Sequence, residues 1–210
     1  GLLQLLHVRI RQRGHPPTTA HLMVANHVSW LDISIIVASV ETRFVSKAEV
    51  RSWPLAGWLA TAAGTFYLQR GAGKTRTLVW ALRDHLRNAG HVTIFPEGTT
   101  TEGERLLRFQ SRLFAAAIDA DCGVQPIALS YGRAASGENI AAFVGQQSLV
   151  ANLWRLLQER ELTVEVTFCT PLAADHADRG TLALSAHCAI AAALELTAPH
   201  ESVQATPLAA

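Results

Sequence analysis

His21-Leu22-Met23-Val24-Ala25-Asn26-His27-Val28-Ser29-Trp30-Leu31-Asp32, continuing as Ile33-Ser34-Ile35-Ile36-Val37-Ala38-Ser39, changes character in mid-course. His21 to Ala25 is a short apolar run that reads as a strand. Ser29 to Ser39 is long and apolar enough for a helix, and a polar corner at Asn26 and His27 separates the two. Working outward, the alternation repeats. Further strands are expected at Arg43–Val45, Thr65–Leu68, His91–Phe95, Gln125–Ser130, Asn139–Val144 and Leu162–Phe168. Further helices are expected at Thr75–Ala89, Arg112–Ala120, Ser148–Gln158 and Thr181–Leu196. In the first of these helices Leu78, Leu82 and Leu86 recur every four residues; Thr75 stands at a capping position, and Gly90 where a left-handed C-terminal residue is usual. Strands alternating with helices require crossover connections. The expected class is therefore α/β, a mostly parallel central sheet with helices on both faces. Ligand sites of such sheets lie off the carboxyl ends of strands, which directs attention to Asn26–Asp32 and to Pro96–Thr101.

Composition narrows the classes of function. With 210 residues, 49% of them hydrophobic and 17% charged, the chain can bury a full core, which excludes disorder and fibrous repeats. Eighteen basic against 17 acidic residues give a net charge of +1, which is no field for a dedicated nucleic-acid binder. Cys122, Cys169 and Cys188 are odd in number and widely spaced, against a disulfide framework or a thiolate zinc site and in keeping with a reducing compartment. The chain divides into a basic, apolar segment at 1–18, one domain over 19–197 and a small, proline-containing tail at 198–210. Gly1 in place of Met leads to the expectation that the natural N-terminus has been trimmed or replaced. The run Leu2 to Arg13 sets Arg9, Arg11 and Arg13 among leucines. It reads either as an interfacial helix, the remnant of a membrane-associating region, or as a helix packed on its own domain.

On an uninterrupted helix, five residues turn through about 500°, which would point His27 and Asp32 about 140° apart. If Ser29 caps the helix, His27 instead lies in the preceding loop, Asp32 faces back toward it from the first turn, and the pair can meet. A carboxylate-oriented imidazole is suited to taking a proton from a hydroxyl near neutral pH. Ser-x-x-Asp before an apolar run is equally a capping signature, in which Asp32 satisfies backbone donors only. The second loop, Phe95-Pro96-Glu97-Gly98-Thr99-Thr100-Thr101, offers a carboxylate, backbone amides and hydroxyls to a polar ligand, or is simply a turn.

Taken together the blocks say more. Asn26-His27-x-x-x-x-Asp32, Gly64-Thr65-Phe66-Tyr67-Leu68-Gln69-Arg70, Phe95-Pro96-Glu97-Gly98-Thr99 and Gln125-Pro126-Ile127-Ala128 resemble, in this order, the four blocks of the glycerolipid acyltransferases. The resemblance is closest to bacterial 1-acyl-glycerol-3-phosphate acyltransferases and runs from about Ala20 to Tyr131. It implies a glycerol-3-phosphate acyltransferase-like fold. The activity it implies moves a fatty acyl group from acyl-CoA or acyl-carrier protein to the free hydroxyl of a lysophospholipid, giving phosphatidic acid. His27 would be the general base and Asp32 its orienting partner. Arg70, Glu97, Gly98 and Thr99 would bind the acceptor, with Asn26, Thr100 and Arg112 as further substrate-binding candidates, and Pro126 would shape a wall. A thioester is already activated, so the reaction needs a base, orientation and a stabilised oxyanion but no metal or cofactor. A membrane surface and no nucleic acid would be the partner, at the cytoplasmic face of a bacterial inner membrane, with the protein peripheral or N-terminally anchored.

Departures from the family pattern touch the head group. Thr100 stands where many relatives carry arginine, and Gln110-Ser111-Arg112 follows Phe109 where Lys-Gly is frequent. Either Arg108 or Arg112 supplies the missing cation, or the acceptor is no simple phosphomonoester but another lysolipid, such as lyso-ornithine lipid. A non-catalytic lipid-binding protein on the same fold is the alternative from another class. Trp53 to Ala63 reads as a wall sheltering an acyl chain, or as an ordinary core helix. Gly71-Ala72-Gly73-Lys74-Thr75 imitates the end of a P-loop, but Leu68 occupies the place of its first glycine, and no Gly-x-Ser-x-Gly elbow is present.

Overall fold

The computed structural model describes residues 1–196 apart from 53–56, 58–60, 62–63, 69–73, 135–136, 146 and 176. Among these, seven strands form one sheet: β1 (Val8–Arg13), β2 (His21–Ala25), β3 (Arg43–Lys47), β4 (Phe66–Leu68), β5 (Val92–Ile94), β6 (Gly123–Tyr131) and β7 (Leu162–Phe168), in the order β1-β7-β6-β2-β5-β3-β4. Strands β6, β2, β5, β3 and β4 run parallel; β7 is antiparallel to β6, and β1 is parallel to β7. The mostly parallel α/β sheet expected from the alternation of strands and helices is the one observed.

Period two explains why β2 is apolar throughout. Leu22 and Val24 enter one core with Leu82, Leu86, Phe114 and Ile190, while Met23 and Ala25 enter the other with Leu31, Ile35, Leu129 and Val166. The first core is covered by the helices Lys74–Arg87, Ala115–Ala120 and Arg179–Ala193, the second by the helices Leu31–Ser39 and Leu149–Leu157. A strand buried on both faces cannot alternate with polar residues. Strand β7 does alternate: Leu162, Val164, Val166 and Phe168 are buried and the residues between them are not.

Four expectations are corrected. The run Leu2 to Arg13 is not one helix. Only Leu2–Leu5 is helical, and Val8–Arg13 is the edge strand β1, its Val8 and Ile10 packed on the core. Two of its three arginines are tied to β7 and the residue before it, Arg9 to Glu161 at 3.1 Å and Arg13 to Glu165 at 2.7 Å. Asn139–Val144 is not a strand, because its backbone bonds to a loop and to a helix side chain: Phe143 N–H donates to the Val28 carbonyl at 2.9 Å, and the Ile140 and Ala142 carbonyls accept from Asn152. Gly90 is not the left-handed residue that ends its helix. Ala89 is (φ 62°), and a Cβ on Gly90 would stand 2.2 Å from Nε2 of His85, so a larger residue there would displace the imidazole. The helix expected over Arg112–Ala120 divides into a 3-10 turn, Ser111–Phe114, and the helix Ala115–Ala120. Cys122, Cys169 and Cys188 are free thiols. Arg70, Gly71 to Gly73, the tail 198–210, and Trp53 to Ala63 except Gly57 and Thr61 lie outside the described residues.

Candidate active site

Strands β2, β5 and β6 end on the same side of the sheet, and the loops that leave them converge there. Asn26, 1% exposed, closes the end of the ladder: its Nδ2 donates to the Leu129 carbonyl at 3.0 Å and its Oδ1 accepts from Leu129 N–H at 2.8 Å. Both polar ends of that side chain are occupied by backbone, so Asn26 fixes the loop rather than facing a ligand. The chain then turns outward at His27. Its ring stacks on Phe95, the last residue before Pro96, with centroids 4.0 Å apart and an interplanar angle of 15°.

Asp32, fully buried, sits in the first turn of the helix Leu31–Ser39 and faces back. Its Oδ2 accepts from His27 Nδ1 at 2.7 Å, from Val28 N–H at 2.8 Å and from Ser29 N–H at 3.0 Å. The capping reading and the orienting reading of Asp32 therefore hold together in one oxygen. The Tyr131 hydroxyl at the end of β6 donates to Oδ1. Four donors suit an ionised carboxylate, an acceptor-only group with about four lone-pair sites. Burial foremost, then the Asp32 charge, push the Tyr131 phenol well above its ordinary value of 10.0, which keeps it a donor. An Nδ1 that donates to a carboxylate carries the proton, which leaves the Nε2 lone pair for chemistry. The imidazole is 21% exposed, so it can be reached from outside.

The second loop is fastened to the first. Glu97, 5% exposed, accepts His27 N–H on Oε1 at 2.9 Å and Leu107 N–H on Oε2 at 2.9 Å. Its carboxyl is raised above the ordinary value of 4.5, chiefly by burial and against the pull of those two amides. Its geometry is that of a brace between loops. Thr101 N–H donates to the His27 carbonyl at 2.8 Å, and Thr100 Oγ1 donates to the Phe143 carbonyl. Gly98 has φ 72°, and a Cβ there would meet Gln110 Nε2 at 2.7 Å. Thr99 is exposed, and Arg112 is exposed on the 3-10 turn beyond Gln110, whose N–H donates to the Pro96 carbonyl at 2.9 Å. Pro126 lies inside β6 opposite Val24, within the sheet rather than on a wall of the site.

Sequence reasoning missed Tyr131, Phe95 and the pair Trp30–Asn152, in which the indole N–H donates to the amide oxygen at 2.9 Å. Phe95 was the one within reach, since it directly precedes the second loop. Among the described residues, no group of three or more His, Cys, Asp or Glu side chains could hold a metal.

A buried, fourfold-held carboxylate aligning a half-open imidazole can deprotonate a hydroxyl. The Acyltransferase family model matches residues 7–130. Over 197 residues the chain is 43% identical to the lyso-ornithine lipid O-acyltransferase of Pseudomonas aeruginosa, covering 94% of this chain and 76% of that protein. It is 35% identical over 195 residues to the protein of the same name from Rhodobacter capsulatus, covering 89% and 70%. It is also 35% identical over 163 residues to the 1-acyl-sn-glycerol-3-phosphate acyltransferase of Neisseria gonorrhoeae, covering 77% and 64%. The crystal structure of PlsC, the 1-acyl-sn-glycerophosphate acyltransferase of Thermotoga maritima, shares the fold with a TM-score of 0.63 at 19% identity, over 90% of this chain and 72% of that one.

Proposed function

Because this chain belongs to the Acyltransferase family and is an O-acyltransferase, we propose that it transfers a fatty acyl group to the free hydroxyl of a lyso-aminolipid of the lyso-ornithine type. The observation that carries the choice of acceptor is the 43% identity over 94% of the chain to a protein named for that substrate, against 35% over 77% for one named for lysophosphatidate. The residues agree: Thr100, in the place where an arginine is frequent, donates its hydroxyl to the Phe143 carbonyl and offers no cation to a phosphate. This acceptor replaces 1-acyl-glycerol-3-phosphate, which the four sequence blocks alone favoured. Lysophosphatidate stays as the second reading on the strength of the Neisseria relative. Ornithine has no hydroxyl of its own, so the oxygen that accepts the acyl group must sit on the fatty chain already attached to it.

In this reading His27 Nε2 takes the hydroxyl proton as the oxygen attacks the thioester carbonyl of acyl-CoA or acyl-carrier protein. Asp32 holds the ring through Nδ1 and stabilises the imidazolium as it forms. The attack forms the new carbon–oxygen bond; collapse of the tetrahedral intermediate re-forms the carbonyl, breaks the carbon–sulfur bond and leaves the ester, and the His27 imidazolium returns the proton to the leaving thiolate. Glu97 positions His27 through its backbone. Gly98, Thr99, Arg70 and Arg112 are proposed to line the path of the acceptor. The reading sets the reaction at the cytoplasmic face of a bacterial inner membrane; no helix among the described residues is long and apolar enough to cross a membrane.

Mass spectrometry of products formed from palmitoyl-CoA with lyso-ornithine lipid, and separately with lysophosphatidate, tests the proposal. The diacylated ornithine lipid is expected at the higher kcat/KM, with free-thiol release dependent on acceptor. Preferential formation of phosphatidic acid would overturn the acceptor. His27→Ala is expected to abolish transfer with the fold retained, and near-normal turnover by that variant would remove the mechanism.

A further inference from the structure

Beside the candidate active site, at the carboxyl end of β6, lies a cavity of about 320 Å³. Val28 and Tyr131 belong to its wall and also to the His27–Asp32 cluster: Val28 N–H and the Tyr131 hydroxyl both donate to Asp32. Its remaining polar wall comes from Glu102, Glu104, Ser130, Arg133 and Asn139. The volume is at the lower end of the range for small-ligand sites, roughly 300–1,000 Å³, and suits a head group rather than a whole lipid.

The chemistry of the wall is mixed in sign. Arg133 pairs with Glu104 at 3.0 Å, both side chains about half exposed at the mouth, and the guanidinium is aimed by a second bond to the Gly137 carbonyl at 2.8 Å. Asn139 donates through Nδ2 to the Glu102 carbonyl at 3.0 Å, which fixes its amide, while its Oδ1 is buried and without a partner among the described residues. The wall therefore presents one cation, two carboxylates and the hydroxyl of Ser130.

We propose that this cavity is the head-group pocket, and that it takes an amino-acid zwitterion, the ligand ammonium on Glu104 and the ligand carboxylate on Arg133. The inference rests on the lyso-aminolipid reading above and deepens it. A zwitterion inserted into the existing Arg133–Glu104 pair exchanges one opposite-charge contact for two and leaves neither of these side chains nor the ligand's own charges unpaired. A phosphomonoester brings up to two negative charges toward Glu102 and Glu104 and no cation to meet them. Repulsion of the wrong head group and attraction of the right one are thus built from the same side chains.

Steady-state kinetics at saturating palmitoyl-CoA test this with the wild-type protein, Arg133→Gln, Arg133→Lys and Glu104→Gln. For lyso-ornithine lipid, Arg133→Gln and Glu104→Gln are expected to raise KM tenfold or more with kcat within about twofold, and Arg133→Lys to recover part of the loss. Methyl esterification of the head-group carboxylate should raise the wild-type KM similarly and add nothing in Arg133→Gln. Glu104→Gln should narrow the preference for lyso-ornithine lipid over lysophosphatidate. Wild-type turnover of lyso-ornithine lipid with KM unmoved by Arg133→Gln and Glu104→Gln overturns the pocket and leaves the acceptor reading standing. No wild-type turnover of lyso-ornithine lipid overturns the acceptor reading and the pocket with it.

Discussion

Asp32 Oδ2 gathers the His27 ring and the amides of Val28 and Ser29, while Oδ1 takes the Tyr131 hydroxyl, so one buried side chain both shapes the turn and aims the imidazole. Asp32→Asn keeps a single acceptor oxygen and introduces an NH2 group that must face one set of donors. Hydrogen bonds to charged groups are worth about 1.5–3 kcal/mol each, so the variant is expected to lose both melting temperature and nearly all kcat. Loss of stability with full activity would leave Asp32 a capping residue only. Glu97 shows the same economy. Its two oxygens take one amide from each loop, which no single-acceptor replacement can reproduce. The spacing of His27 and Asp32 was legible in the sequence, because a strand-turn-helix boundary limits how the pair can be placed. Tyr131 was not, since it stands 99 residues from the oxygen it serves.

At the scale of elements, the helix Leu149–Leu157 acts on the site without reaching it. From that helix Asn152, 2% exposed, accepts from the Trp30 indole and donates to the carbonyls of Ile140 and Ala142. Phe143, one residue further on, bonds to Val28 and receives the Thr100 hydroxyl, so the crossover segment, the first loop and the second loop are joined at one place. Asn152→Leu is expected to destabilise the protein by about 1–3 kcal/mol for each buried group left unpaired. Urea unfolding measures this, with a fall in kcat as the loops loosen. Unchanged stability would show that the clamp is dispensable. The expectation of a strand over Asn139–Val144 failed for the same reason: an apolar run specifies burial, and only its tertiary partners decide whether its amides meet a strand or a set of loops. At β1, period two was present in Val8-Arg9-Ile10-Arg11, but arginines beside leucines also fit an interfacial helix. Pairing with Leu162 to Thr167 decided between them.

For the molecule as a whole, the response to acid follows from buried titrating groups. Burial foremost lowers His85, His91 and His187 below their ordinary 6.5, so the unfolded chain binds their protons first and stability falls as pH drops below about 6.5. Glu97, raised by burial, works in the opposite sense: the native state takes its proton first, which adds stability as pH falls toward 4.5. Three groups oppose one, so the thermal midpoint is expected to fall between about pH 6.5 and 5. His187→Leu, removing an imidazole that is 5% exposed and packed edge-on against Phe109, should make that fall shallower. A midpoint flat over this range, or a slope unmoved by the substitution, would contradict the assignment. By itself the sequence determined the α/β class and most of the alternation between His21 and Phe168, because period and length are local properties of a chain; β1 and the segment Asn139–Val144 escaped it. It also pointed to the two loops that meet at the candidate site, since they follow strands. It did not determine that Asn26 and Glu97 brace those loops, that Tyr131 completes the carboxylate's shell, or that Arg133, Glu104 and Asn139 surround one cavity. Those contacts join residues tens of positions apart, and only the packing of strands side by side brings such residues within a hydrogen bond of one another.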